Sequence, residues 1–276
     1  MNKVYEKAYA KVNLGLKVGK KRFDGYHNIE TLMARIDLCD NITLKDSEDI
    51  VIEGMNITLK ENLMYKVITL VKDKYNIKNN VKVEINKKIP IGAGLGGGSS
   101  NAAAIIRGLN KLWNLNLSIE MMEELGQIIG SDVPFFITGK TSHVMGRGEI
   151  LNKVKLSLPY KLLLVNLAVN ISTKTVYENY REKNNFNFEY NIANLNLHQL
   201  KNDLETVYKE SYPEISILMN NIKHDLGGEL NIMSGSGPTI FALYNKNKCI
   251  NQIKQNIERK YNVFVFESFF IEDKIN

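Results

Sequence analysis

Apolar and polar residues alternate in several segments of the first half of the chain and therefore predict strands. In AYAKVNLGLKV, every second position from 10 to 18 is apolar, while Lys11 and Asn13 fall on the opposite face. NVKVEINKKIP alternates in the same way and stops at Pro90, and NITLKDSEDIVIEG predicts two short strands. We therefore expect the first strand to bury one face and to present the other for polar contacts.

Other segments repeat their apolar residues at the spacing of an α-helix. KENLMYKVITLVKDKY places apolar residues on one helical face at Leu63, Val67, Leu70 and Val71. PEISILMNNIKHDLGG has Pro213 at a first-turn position and Gly227 as a typical C-terminal cap. SSNAAAIIRGLNKLW, which follows a glycine-rich loop, and CINQIKQNIERKY also predict helices.

After about residue 157 the pattern restarts. YKLLLVNLAV, MSGSGPTIFALYN and NVFVFESFFI predict strands, and helical segments separate them. Because strands and helices alternate in both halves, we predict an α+β protein with two domains, 1–156 and 157–276. The polar segment NNFNFEYNIANLN, at 184–196, is expected to be a surface insertion.

Composition limits the size and the location of the protein. The 276 residues suit two modest domains, and 44% hydrophobic and 24% charged residues are ordinary for a globular protein. No apolar run approaches the ~20 residues that span a bilayer, and the N-terminus lacks a signal-peptide pattern. Cys39 and Cys249 lie outside any CxxC pattern, which favours buried free thiols in a reducing compartment. We therefore expect a cytoplasmic protein that does not bind a membrane.

The net charge of +6 is compatible with an anionic partner. The basic residues are mostly lysines scattered along the chain, without a block of like charge and without interleaved aromatic residues. This distribution is typical of a solvated basic surface, so nucleic acid is not the expected partner. A phosphorylated small molecule would suit the charge.

The segment IPIGAGLGGGSSNAA carries five glycines between Gly92 and Gly98, just before an alanine-rich helix. A flexible hinge, a dinucleotide loop and a phosphate cradle all remain possible interpretations. A hinge rarely needs so many glycines, and a dinucleotide loop would open a unit near the N-terminus. A cradle uses bare backbone N–H groups with a helix N-terminus behind them. No lysine precedes Ser99 and Ser100 as in a P-loop, so a cation must come from elsewhere in the chain.

Two further segments carry residue types that are common in functional sites. GSDVPFF places Asp132 between a predicted helix end at Gly130 and Pro134, where an aspartate is most often a helix N-cap. MSGSGPT, at 233–239, is a second glycine turn that leads into a strand. Taken singly, neither segment indicates a function.

Together, these segments resemble the three signature motifs of the GHMP kinase superfamily, in the same order. AYAKVNLGL is similar to the first strand motif, PIGAGLGGGSSNAA to the ATP loop, and MSGSGPTIFAL to the late glycine turn. The motifs span nearly the whole chain. The resemblance implies a two-domain fold, with a ribosomal-S5-domain-2-like α/β N-terminal half and a ferredoxin-like α+β C-terminal half.

Shorter matches point to one branch of this superfamily. They are AKVNL at 10–14, DGYH at 24–27, the triple glycine at 96–98, SDVPFF, and GRGEIL at 146–151. The branch transfers the γ-phosphoryl group of ATP to the 2-hydroxyl of 4-diphosphocytidyl-2-C-methyl-D-erythritol, in non-mevalonate isoprenoid biosynthesis. In the third motif, Pro238 and Thr239 follow the glycine turn at positions where family members vary. The glycine turn itself matches the motif.

The resemblance implies roles for individual residues. Asp132 would be the general base, and Lys11 the cation that holds it and stabilises charge on oxygen. The cytosine base would be recognised by Tyr26, His27 and Tyr177. The other predicted substrate-binding residues are Asn13, Arg147, Gly235, Ser236 and Gly237. The predicted ATP-binding residues are Asn62, Pro90, Ile91, Gly92, Ala93, Gly94, Leu95, Gly96, Gly97, Gly98, Ser99 and Ser100.

ATP is the implied co-substrate and Mg²⁺ the implied cofactor, with Ser99 or Ser100 as its ligand. The expected partner is a cytidine diphosphate small molecule, bound by a monomer or a homodimer. Three alternatives stay open. A sugar-phosphate sensor without catalysis would remain possible only if Asp132 were dispensable. A GHMP kinase for homoserine or a mevalonate-type acid would share the loop, but its substrate has no base for Tyr26 and His27 to stack on. A nucleic-acid-binding protein would fit the positive charge alone.

Overall fold

The computed structural model describes residues 2–181, 190, 192 and 195–271. The chain divides into two compact units. The first unit draws on Met1–Ala10, Leu38–Ile91 and Gly96–Lys140, and the second on Lys11–Asp37, Gly92–Leu95 and Thr141–Asn276. Strands β1 (Lys3–Lys21) and β2 (His27–Ser47) pair with each other, and each contributes residues to both units. The domain boundary at 156/157 stays a prediction. Each compact unit combines segments from distant parts of the chain, so the units do not test a single boundary in sequence.

The first unit adds two strands and four helices. These are β3 (Val51–Glu53), α1 (Leu63–Tyr75), β4 (Asn80–Asn86), α2 (Gly97–Leu112), α3 (Ile119–Ile129) and α4 (Val133–Thr138). β4 runs antiparallel to residues 41–47 of β2 and parallel to β3. Helix α2 packs against the other three helices. A Cβ on Gly108 would lie 2.6 Å from Leu44 Cδ1, so the close approach of Leu44 to α2 depends on this glycine.

The second unit adds the remaining strands and helices. These are β5 (Ser142–Gly146), β6 (Ile150–Lys153), β7 (Tyr160–Asn166), α5 (Thr173–Asn179), a 3₁₀ turn (Leu197–Gln199), α6 (Glu205–Ser211), α7 (Pro213–Leu226), β8 (Leu230–Met233), β9 (Ile240–Asn245), α8 (Asn251–Tyr261) and β10 (Phe264–Phe269). Four of these strands form an antiparallel sheet in the order β10-β7-β9-β8. β5 pairs with residues 29–33 of β2 and with β6. Leu16, Val18 and Ile29 join the core of this unit.

The structure confirms the predicted α+β class and the predicted helices and strands. Helix α7 begins at Pro213 and is capped by Gly227 with a left-handed φ of 55°. The segment 184–196, predicted to be a surface insertion, lies largely outside the described residues. Both cysteines are free, as predicted, but neither is buried: Cys39 is half-buried and Cys249 is exposed.

The predicted face of α1 differs from the structure, and the polar face of β1, which makes the predicted polar contacts, is also buried. In α1, Met64 and Ile68 are buried, whereas the predicted Leu63 and Leu70 are only half-buried. The helix therefore turns a face to the core that lies slightly to one side of the predicted one. In β1 the polar face around Lys11 is buried as well as the apolar face, because residues 11–16 are all enclosed.

Candidate active site

Lys11 and Asn13 begin a buried chain of polar contacts on β1. Lys11 is only 4% exposed, and its Nζ donates to Asn13 Oδ1. Asn13 Nδ2 donates to Thr31 Oγ1 at 2.8 Å, and the Thr31 hydroxyl donates to the carbonyl of Gly15 at 2.5 Å. A buried ammonium needs polar partners to replace its lost hydration. These contacts therefore fix Lys11 in one position, unlike a solvated surface lysine.

The glycine turn after β8 lies directly against Lys11 and Asn13. Gly235 has a left-handed φ of 56°, and a Cβ on it would be 3.1 Å from both Lys11 Nζ and Asn13 Oδ1. The Ser234 hydroxyl accepts from the Asn13 N–H at 3.3 Å and donates to the Gly94 carbonyl at 3.0 Å. A Cβ on Gly94 would be 2.2 Å from the Ser234 carbonyl oxygen. The first motif, the third motif and residues 92–95 of the glycine loop therefore meet within the second unit.

Three side chains hold this glycine turn in place. Asn202 Nδ2 donates to the Gly235 carbonyl at 2.7 Å, and the hydroxyls of Thr173 and Ser236 lie 2.9 Å apart. The Tyr208 hydroxyl donates to the Ser236 carbonyl at 2.7 Å. Burial raises the pKa of Tyr208, so this hydroxyl keeps its proton and remains a donor.

The end of the glycine loop forms the N-terminus of α2, in the first unit. Gly96 is the N-cap, with a φ of 69° and no side chain to cap the helix. Ser100 N donates to the Gly96 carbonyl at 2.9 Å, so the amides of residues 97–99 have no acceptor within the helix. The buried Ser100 hydroxyl donates to the Tyr9 carbonyl at 2.6 Å, whereas Ser99 is half-buried. The arrangement suits an anion, and Ser99 is the more accessible of the two serines.

Asp132 occupies the N-cap position of α4 without capping it. Its backbone is helical, at φ −83° and ψ −13°, and its side chain makes no capping hydrogen bond. The helix itself therefore does not use this carboxylate, although the sequence taken alone favours a capping role. Asp132 belongs to the first unit, whereas Lys11 and Asn13 belong to the second.

Asn62, the predicted nucleoside contact, has a structural partner. It is buried and caps α1, because its Oδ1 accepts from the Met64 N–H at 2.9 Å. Its contact with ATP stays a prediction.

The predicted base-binding residues belong to the second unit, where the rings of His27 and Tyr177 are neighbours. Tyr26 is 54% exposed, and the Arg147 guanidinium carbon lies 5.4 Å from the centre of its ring. His27 is 8% exposed, its ring centre is 6.0 Å from that of Tyr177, and its Nδ1 is 2.8 Å from the Gly19 carbonyl oxygen. A carbonyl only accepts, so Nδ1 carries the proton and Nε2 is an acceptor. Arg147 thus contacts Tyr26, and its predicted phosphate contact stays a prediction.

Sequence reasoning missed the residues that support this site. The residues concerned belong to no motif, and each forms a hydrogen bond with a backbone or side-chain group that is distant in sequence. They are Thr31, Asn202 and Tyr208. Glu30 is also buried, and its carboxylate lies 2.7 Å from Nε2 of His143, a histidine for which the sequence predicted no role. The one sequence feature that could have indicated any of these supporting residues is the pair of consecutive polar residues, Glu30 and Thr31, inside a strand.

Comparison with known proteins places these features in a family. The model of the GHMP kinase N-terminal domain matches residues 62–140, and the model of the GHMP kinase C-terminal domain matches residues 186–263. The chain therefore belongs to the GHMP kinase family, and it is an ATP-dependent small-molecule kinase.

Within the part of the chain that the structure describes, none of the helices has both the length and the hydropathy needed to cross a membrane.

Relatives within this family make the comparison more specific. The chain is 42% identical over 254 residues to the 4-diphosphocytidyl-2-C-methyl-D-erythritol kinase of Thermodesulfovibrio yellowstonii, covering 87% of this chain and 89% of the relative. It is 38% identical over 282 residues to the kinase of the same name from Bacillus subtilis, covering 94% and 92%. A crystal structure of 4-(cytidine 5'-diphospho)-2C-methyl-D-erythritol kinase matches with a TM-score of 0.84 at 28% identity, over 98% of this chain and 100% of that one.

Proposed function

We propose that this kinase phosphorylates the 2-hydroxyl of 4-diphosphocytidyl-2-C-methyl-D-erythritol with ATP, giving the 2-phosphate and ADP in isoprenoid precursor biosynthesis. The observation that carries this proposal is the 42% identity, over most of the chain, to a relative of that name. A homoserine kinase and a mevalonate kinase match at 17% and 16% identity, a likeness that shows the fold alone. A cytoplasmic location and a monomeric or homodimeric state stay predictions.

The glycine loop and the N-terminus of α2 are proposed to bind the ATP phosphates. Gly92, Gly94 and Gly96 all have left-handed φ values, between 67° and 73°, which other residues rarely adopt. The amides of residues 97–99 have no acceptor within the helix and lie at its positive end. Bare backbone at this place allows a phosphate group to approach the N–H groups closely.

Mg²⁺ is proposed to neutralise charge on the ATP phosphates. Among the described residues, no group of three or more His, Cys, Asp or Glu side chains is placed to hold a metal. Mg²⁺ bound with a nucleotide is commonly held mainly by phosphate and water oxygens, with few protein ligands. Ser99 is the proposed protein ligand, because it is half-buried whereas Ser100 is only 2% exposed.

The chemistry is proposed to rest on Asp132 and Lys11. Phosphoryl transfer depends on positioning and on charge stabilisation. Asp132 would accept the proton of the substrate hydroxyl, and its side chain makes no capping hydrogen bond to α4. Lys11, fixed by Asn13, would stabilise negative charge on oxygen without needing to reorganise. Asn13 would orient the substrate beside it.

An ADP-release assay tests the proposed function. Three acceptors are compared at equal concentration, with and without Mg²⁺: 4-diphosphocytidyl-2-C-methyl-D-erythritol (the cytidyl substrate), homoserine and mevalonate. We expect turnover with the cytidyl substrate, and only with Mg²⁺ present. Turnover of homoserine or mevalonate at a higher kcat/KM would reject the proposal.

A further inference from the structure

Asp40, on β2 in the first unit, is a buried carboxylate to which the proposed chemistry gives no role. It is 0% exposed. Its oxygens accept four hydrogen bonds, from Lys87 Nζ at 2.8 Å, Lys88 N at 2.7 Å, Ile89 N at 2.9 Å and Asn101 Nδ2 at 2.7 Å. Four donors fill the usual capacity of a carboxylate, and they compensate for its burial.

These donors lie on both sides of the glycine loop. Lys88 and Ile89 stand directly before Pro90, where the loop begins, and Asn101 lies in the first part of α2, where the loop has ended. A segment so rich in glycine has few side chains with which to fix its own shape. Hydrogen bonds to an ionised carboxylate are shorter and stronger than neutral ones, so Asp40 can hold both ends firmly.

We propose that Asp40 is a positioning residue that fixes the two ends of the glycine loop in the shape that binds the ATP phosphates. The proposal rests on the proposed assignment of this loop to the phosphates. Gly97 adds support for close packing at the same place, because a Cβ on it would be 3.0 Å from Ile89 Cγ2 and 3.1 Å from Lys87 Nζ. A shift of the residues before the loop would therefore be transmitted to the first turn of α2.

Glu6 provides a matched contrast in the same unit. It is also a buried carboxylate, and it pairs with Arg107 at 3.0 Å and Lys111 at 2.5 Å. Both partners lie in the C-terminal half of α2, away from the loop. Loss of this charge should therefore affect stability without changing the loop.

The main test compares Asp40→Asn with Glu6→Gln. In Asp40→Asn the new NH2 group replaces an oxygen that accepts two of the four hydrogen bonds, whichever way the amide is oriented, so we expect KM for ATP to rise about tenfold. KM for the cytidyl substrate and kcat should stay within about twofold of the unmodified protein. Glu6→Gln should lower the melting temperature and leave KM for ATP unchanged. An unchanged KM for ATP in Asp40→Asn, or an equal rise in both variants, would overturn the proposal.

Two further measurements keep the test decisive if Asp40→Asn does not fold. Asn101→Ala removes the donor on α2 alone and should raise KM for ATP about threefold; no rise would overturn the proposal. Binding of a fluorescent ATP analogue measures the loop without any acceptor substrate. Absence of turnover in the unmodified protein, with normal analogue binding, would reject the proposed acceptor and leave the role of Asp40 intact. Unchanged analogue affinity in Asn101→Ala would reject that role.

Discussion

At the residue scale, turnover is expected to depend most on Asp132, whose carboxylate does not cap α4. Asp132→Asn keeps the size of the side chain and removes the proton acceptor. A general base contributes about 10²–10⁴-fold, so kcat should fall by that factor. ADP release gives kcat, and a fluorescent analogue shows that ATP still binds. Asp73→Asn, which changes an exposed carboxylate on α1, is the control, and a near-normal kcat for Asp132→Asn would contradict the assignment.

Tyr26 allows a second residue-scale test, of the predicted base-binding residues. Stacking on an aromatic ring is worth about 1–3 kcal/mol per base, so Tyr26→Ala should raise KM for the cytidyl substrate about 5- to 150-fold. KM for ATP should not change. Phe23→Ala is a matched control, because Phe23 is an aromatic residue of the same turn that is fully exposed, at 114%. Equal effects on the two substrates in steady-state kinetics would argue against stacking.

His27 leads to a prediction about which base is bound. Its Nδ1 donates to the Gly19 carbonyl, which leaves Nε2 as an acceptor. An acceptor pairs with the amino group of cytosine and opposes the carbonyl oxygen that uracil carries at the same position. CDP should therefore inhibit competitively at a concentration at least about tenfold lower than UDP. Equal inhibition constants for the two nucleotides would show that this ring does not select the base.

The sequence predicts the residues of the site that belong to motifs, and it does not predict the residues that support them. Lys11 and Asp132 are predicted from the resemblance of AKVNL and SDVPFF to family motifs. Asn202 and Asp40 do not, because each acts on groups that are distant in sequence, Gly235 and Asn101 respectively. Such pairings depend on the packed fold, and no local periodicity encodes them.

At the scale of elements, the first turn of α2 can be tested with neighbouring glycines. A side chain on Gly97 would press on Ile89 and Lys87 at 3.0–3.1 Å, whereas one on Gly98 would meet only Leu63 Cδ1, at 3.7 Å. We expect Gly97→Val to weaken ATP binding about tenfold and Gly98→Val to weaken it less. Isothermal titration with ATP checks both variants. Unchanged affinity in a folded Gly97→Val would exclude a cradle at this turn.

The same scale shows why the predicted face of α1 was wrong and why the polar face of β1 is buried. Periodicity correctly gives helix α1, but Leu63 and Met64 are both apolar, so the pattern cannot decide which of them faces the core. In β1, alternation predicts one buried face, whereas Lys11 and Asn13 are buried by their own polar contacts. A polar residue in a strand is expected at the surface unless its partners are known.

At the scale of the whole molecule, the sequence did not reveal which segments of the chain make up each compact unit. The α+β class follows from the alternation of strands and helices along the chain. However, residues 11–37 contribute to the same unit as residues 141–276. Nothing in local composition marks Ala10 or Asp37 as a place where the chain passes from one unit to the other, because β1 and β2 continue through both points.

A fragment of residues 157–276 should therefore fail to fold alone. It lacks Leu16, Val18 and Ile29, which are buried in the core of the second unit. Burying one such side chain contributes about 1.5–3 kcal/mol, so their loss removes about 5–9 kcal/mol, comparable to the whole stability of a typical domain. The fragment also loses the bond from the Val18 N–H to Asp203 Oδ2, at 2.9 Å. Thermal unfolding followed by near-UV circular dichroism should show no cooperative transition for the fragment, and addition of residues 1–156 should restore one. A cooperative transition in the isolated fragment would instead support an autonomous domain beginning near residue 157.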